Sequence, residues 1–179
     1  MSSFFSERST LDEIEQTNEI LNEKEKESEK KLVYLSIADI LKQVISEQKQ
    51  VIQKKRKSHF NAVSAPSISI EDYLTRICTY SNPEVPTMIC SLIYIDRLCS
   101  NGTIYLSKYN IHRILFTSIL LALKYNEDEM YTLDYYASIA GVSKKELSKL
   151  EAEFLSIINF NLCVNGDEYT KYYNYLTSK

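Results

Sequence analysis

The chain has no tryptophan, and it has only three glycines, three prolines and two histidines among its 179 residues. So little turn chemistry leaves no room for a sandwich or barrel of many short strands, which needs a Gly- or Pro-bearing turn every few residues. With the glycines far apart in sequence, no phosphate-cradling loop can form, and no Ser-x-x-Lys, nucleophile elbow or Cys/His pairing is present. Cys78, Cys90, Cys99 and Cys163 lack CxxC spacing, and His59 and His112 alone cannot complete a zinc site with them. The thiols are expected to be reduced and mostly buried, as free cysteines of an intracellular protein are. No cofactor or metal is expected. Long hydrophobic runs are missing too. The longest apolar stretch, residues 114–123, is interrupted by Thr117 and Ser118 and falls short of the ~20 residues needed to cross a bilayer. The N-terminus, MSSFFSERST, has neither the basic start nor the apolar core of a secretory signal. A net charge of −3 provides no global attraction to nucleic acid.

The sequence that remains has the composition of one globular domain with a tail. Residues 1–31 are charged, with Glu19, Glu23, Glu25, Glu27 and Glu29 interleaved with Lys24, Lys26, Lys30 and Lys31, and read as a solvated helix or a flexible tail. From Leu32 onward Val33, Ile37, Ile40, Val44 and Val51 trace one stripe, so residues 32–57 are expected to form an amphipathic helix lying on another surface. The basic run Lys54, Lys55, Arg56 and Lys57 at its end suits either a solvated helix terminus or a nuclear-import signal, placing the protein in cytoplasm or nucleus.

The main domain is expected over residues 60–176. Ser69 with Asp72 and Ser143 with Glu146 have the spacing of N-terminal helix caps, and Pro86 fits a first helical turn. These signals predict helices over about 69–80, 86–101, 110–126, 132–141 and 143–159, with a Tyr-rich helix after them. In the third, Ile111, Ile114, Leu115, Phe116, Ile119, Leu120, Leu121, Ala122 and Leu123 surround the axis, which marks a buried helix. The expected fold is all-α, a five-helix bundle around that central member.

Three charges stand where apolar residues should. At ~100° per residue, Asp96 shares a face with Val85, Met88, Ile89, Leu92 and Cys99. A buried carboxylate needs a cation, and Arg76 at the edge of the first helix's apolar stripe is the expected partner in a structural ion pair; Arg97 points away. Glu151 falls within the apolar arc of Leu147, Leu150, Phe154, Leu155 and Ile158, and Lys124 ends the buried helix. Lys124 and Glu151 either pair with each other across the bundle or form the rim of a surface that a partner covers. Glu127, Asp128 and Glu129 lack the ligand alternation of a calcium loop and read as a solvated turn.

Taken in order and spacing, Ser67-Ile-Ser-Ile-Glu-Asp-Tyr-Leu-Thr-Arg-Ile77, Leu92-Ile-Tyr-Ile-Asp-Arg-Leu98, Asn110-Ile-His-Arg113, Leu121-Ala-Leu-Lys-Tyr125 and Glu146-Leu-Ser-Lys-Leu-Glu151 resemble the cyclin box. The branch they resemble is the P-type, or phosphate-regulating, cyclins. The resemblance implies a five-helix cyclin fold with a central third helix, agreeing with the periodicity. It implies a non-catalytic regulatory subunit that binds and activates a cyclin-dependent protein kinase, with no small-molecule substrate and no membrane or nucleic-acid partner. A transcription-factor type of cyclin-fold adaptor and a non-activating kinase scaffold are the alternatives. By motif position Lys124 and Glu151 correspond to the kinase-binding lysine and glutamate of the family, and Arg76 and Asp96 to its internal pair. Glu127-Asp128 stands where these cyclins usually carry paired aspartates, and Leu133 where an asparagine is usual. Those departures bear on kinase choice and activation-loop contacts.

Overall fold

A computed structural model of the chain describes the backbone of residues 3–48, 58–100, 102 and 104–178, with side chains described from residue 18 onward. Val51 and the basic run Lys54 to Lys57 lie outside the described residues. Among the described residues seven helices follow one another: α1 (Ser3–Gln48), α2 (Ile70–Ser81), α3 (Val85–Ser100), α4 (Ile111–Asn126), α5 (Leu133–Ala140), α6 (Lys144–Ile157) and α7 (Gly166–Thr177). No strand occurs among the described residues.

The helix starts are set by side-chain caps. Ser69 Oγ accepts from Asp72 N at 3.0 Å, and Ser143 Oγ accepts from Glu146 N at 3.1 Å, as the spacing predicts. Thr132 and Asn165 cap α5 and α7 in the same way. Each such cap satisfies one of the amides that a helix start otherwise leaves unpaired, an effect worth about 1 kcal/mol. At the end of α5 the chain enters the left-handed region at Gly141 (φ +71°), where a Cβ would be strained.

Helix α4 is the centre. All of its residues from Ile114 to Leu123 are buried, including Thr117 and Ser118. Those two hydroxyls return to the helix's own backbone, on Arg113 O and Leu115 O, so neither is left unpaired in the core. Around α4 pack α2, α3, α5 and α6, giving the expected five-helix bundle.

Helix α1 lies outside the five, against α2, α3 and α7. Val33, Ile37, Ala38 and Leu41 are fully buried, Ile40 and Val44 half-buried, and Ser36 Oγ donates to Leu176 O at 3.0 Å. Each large apolar side chain so buried contributes about 1.5–3 kcal/mol. The helix runs unbroken across the boundary at residue 31 where the composition changes. The change appears in exposure instead: residues 18–28 are all exposed, and Val33 is the first fully buried one among the described side chains.

Candidate functional site

Lys124 occupies the last turn of α4, where a cation complements the helix's negative end. Its Nζ stands 2.5 Å from Glu151 Oε1 on α6, with the lysine side chain 41% exposed and the glutamate 13% exposed. The two residues singled out in the sequence are therefore brought together, and the pair sits where α4 and α6 reach the surface. Glu151 accounts for its odd place in an apolar arc: its stem is covered by the bundle while its carboxylate reaches out to the lysine.

One turn beyond Glu151, Leu155 is half-buried, and three residues past the end of α6 Phe160 is 71% exposed. Asn159 and Phe160 have φ of +52° and +55°, a conformation rarely adopted by a bulky side chain. Several bonds hold the turn there. Phe160 N donates to Leu155 O at 2.9 Å, and Tyr94 OH donates to Leu162 O at 2.8 Å. Arg97 donates to Asn161 O at 2.7 Å and to Cys163 O at 3.0 Å, and pairs with Glu168 at 2.7 Å. Its guanidinium also lies over the Tyr94 ring, 5.9 Å from the centroid. Burial first, then the neighbouring Cys90, raise the Tyr94 phenol above its ordinary value, so it stays a protonated donor at neutral pH. Tyr125, next to Lys124, is close enough to Tyr94 to add to that shift, and its own ring is exposed. The face thus combines a charged pair with exposed aromatic rings on a preformed backbone.

From the opposite side of α6 the segment before α2 is pinned down. Arg113 donates to His59 O at 3.0 Å and pairs with Glu146 at 2.5 Å, while Glu153 Oε2 accepts from His59 N at 2.8 Å. Phe60 is fully buried, edge-on to Phe154 at 6.0 Å. These contacts fix α6, and with it Glu151, relative to α4.

Arg76 and Asp96 are not brought together, which corrects the expected structural ion pair. Both are exposed. Arg76 donates to Ser138 O at the end of α5 at 3.0 Å, and Asp96 accepts from Tyr172 OH on α7 at 2.8 Å. The wheel misplaced Asp96 because α3 is buried on all sides from Thr87 to Ile95, so its apolar residues define no single inner face. Near its C-terminus the helix emerges, and there Asp96 meets water and α7. Arg97, which the wheel pointed away from the core, is instead the half-buried anchor of the Phe160 turn. Phe160 itself gave only a faint signal, an aromatic flanked by Asn159 and Asn161 just past a helix end.

Among the described residues no group of His, Cys, Asp and Glu could hold a metal ion, and no helix is long and apolar enough to cross a membrane. The geometry is that of an all-helical domain with a charged pair between α4 and α6 and exposed aromatic rings at Tyr125 and Phe160. Comparison with known proteins places it: the chain belongs to the cyclin family, whose model, described as Cyclin, matches residues 8–162. It is 34% identical to Cyclin-U4-3 of Arabidopsis thaliana over 141 residues, covering 78% of this chain and 64% of that protein. It is 36% identical to the PHO85 cyclin-like protein psl1 of Schizosaccharomyces pombe over 121 residues, covering 66% of this chain and 50% of the relative. Cyclin-P3-1 of Oryza sativa is 30% identical over 119 residues, again 66% of this chain and 50% of the relative. The chain therefore matches between half and two thirds of the length of these curated relatives, and the matches lie in the P- and U-type branch.

Proposed function

We propose that the chain is a regulatory subunit that binds a cyclin-dependent protein kinase through the face around Lys124 and Glu151 and activates it. Membership of the cyclin family and likeness to a protein named for PHO85 support the class of partner. The observation that carries the choice of face is the Lys124–Glu151 pair, with Leu155 one turn on in α6 accepting from the amide of the exposed Phe160. A charged pair next to an unsatisfied aromatic surface is what an interface core and its polar rim require. The kinase's regulatory helix would lie across this face and be held in its productive position, so that the kinase's own Lys–Glu pair forms. Catalysis then belongs to the kinase, and this chain contributes position alone.

The test is capture of the kinase from the native cell by the tagged chain, followed by a kinase assay, with Lys124→Glu and Glu151→Lys beside the parent. Both variants are expected to lose the kinase while retaining the parent's helical melt. Capture and activation at parental levels by both would overturn the assignment of the face. Capture without activation would overturn the activator reading and leave a scaffold.

A further inference from the structure

Helix α1 carries a second apolar set on the face turned away from the bundle. Leu21 is 52% exposed, Leu32 38% and Leu35 39%, although Val33, Ile37 and Leu41 of the same helix are fully buried. At ~100° per residue Leu35 stands about 160° round the axis from Ile37, with Leu21 and Leu32 within about 60° of Leu35. Counting back from Leu35 in alternating steps of three and four gives Leu32, Ser28, Glu25, Leu21 and Asn18, all exposed. The same steps then reach Ile14 and Leu11 in the sequence, on a backbone that is helical from Ser3. Alternating threes and fours are the spacing of a two-stranded coiled-coil seam, and residues 11–35 sustain it for the three to four heptads such a seam needs.

Run in reverse, this seam is complementary to itself. Its apolar residues stand in pairs at the two ends, Leu11 with Ile14 and Leu32 with Leu35, and its polar ones lie between them. Laid antiparallel on a second copy, with Glu23 at the two-fold axis, Leu11 meets that copy's Leu35 and Ile14 its Leu32. Asn18 then meets Ser28, two groups that can hydrogen-bond, and Leu21 lies along the stem of Glu25, whose carboxylate falls near the other copy's Lys24. Charge favours the same direction. Residues 3–22 carry five carboxylates against Arg8 alone, whereas in residues 24–43 five lysines outnumber four carboxylates. An antiparallel pair sets each acidic half against the slightly basic half of its partner. A parallel pair would set the two acidic halves side by side and Glu25 opposite Glu25, which repels.

We propose that the outer face of α1 is a self-association surface on which two copies of this chain pair antiparallel over residues 11–35. Because α1 meets the bundle through α2, α3 and α7, the pairing leaves the Lys124 and Glu151 face open, and the proposal does not depend on the kinase reading.

The test uses the purified full chain with the exposed Cys163 replaced, Cys163→Ser, in sedimentation velocity over a micromolar concentration series. A concentration-dependent dimer is expected. Leu32→Glu combined with Leu35→Glu should weaken it at least about tenfold while the bundle melts as in the parent, since both side chains are exposed. Glu25→Leu turns two mixed layers apolar and should tighten the dimer about tenfold, a gain that misfolding cannot mimic. For direction, a chain carrying Asn18→Cys is mixed with one carrying Ser28→Cys and oxidised, and the mixed disulfide should exceed either homodimer. A chain that stays monomeric throughout the series would overturn the proposal, as would a dimer indifferent to both the leucine and the Glu25 changes. Preferential cross-linking of Asn18→Cys to itself would overturn it as well, because that is the parallel arrangement.

Discussion

Replacing Arg97 by alanine removes the clamp on the turn that presents Phe160. The side chain is 17% exposed and donates to two backbone carbonyls and one carboxylate, on Asn161, Cys163 and Glu168. Hydrogen bonds to a charged group are each worth roughly 1.5–3 kcal/mol, but three bonds from one guanidinium are not additive, and Arg97→Ala should cost about 3 kcal/mol in all. For a domain of this size that lowers the melting temperature by roughly 6–12 °C. Arg97→Lys keeps the charge but cannot span two carbonyls and a carboxylate with a single ammonium, so it should recover about half of the loss. Glu168→Gln, which spares both carbonyl contacts, should cost only about 0.5–1 kcal/mol, because that carboxylate is 30% exposed. Hydrogen exchange gives the local readout. The amides of Phe160 and Asn161, which donate to Leu155 O and Ile158 O, should exchange faster in Arg97→Ala while those in the middle of α4 change little. A melt within a degree or two of the parent, with Phe160 and Asn161 protected as before, would refute the claim that Arg97 holds the turn.

Asp96→Ala loses only the acceptor of the Tyr172 hydroxyl and should cost less than about 1 kcal/mol by urea melting; a loss of ~3–5 kcal/mol would restore the buried ion pair. Phe154→Ala empties the site on which Phe60 packs and should destabilise by about 3–5 kcal/mol, loosening the segment around His59 by hydrogen exchange. Burial pushes the thiols of Cys78 and Cys99 up to about 11 and about 12, and raises that of Cys90. A raised thiol stays protonated, so at pH 8 less than about one part in a thousand of Cys78 or Cys99 is the reactive thiolate, and the fraction grows as pH rises. Iodoacetamide on the native chain should therefore label the exposed Cys163 first, and uniform labelling of all four cysteines at pH 8 would contradict the burial.

The fold was legible where the sequence speaks locally. The caps at Ser69 and Ser143 are set by one residue and the amide three positions on, and the central helix is marked by apolar residues on every side. The Lys124–Glu151 contact was legible because two charges interrupted otherwise apolar elements. Asp96 shows the limit of that reasoning. A wheel assumes that a helix has one wet face, and α3 has none over most of its length, so its single exposed carboxylate was assigned to the core. Arg97 and Phe160 were not legible, because both take their roles from the turn after α6, which crosses the end of α3 and has no periodicity. The extent of α1 was likewise hidden, since its charged half carries no apolar stripe that the bundle covers yet continues the same helix.

The central claim is that the kinase covers the face built by the end of α4, by Glu151 and by the Phe160 turn. The direct measurement is hydrogen exchange of the full chain with and without its captured kinase. Added protection is expected at Lys124 to Asn126, Glu151 to Leu155 and Asn159 to Leu162. Protection confined to α1 and α7, with those three segments exchanging as in the free chain, would contradict it.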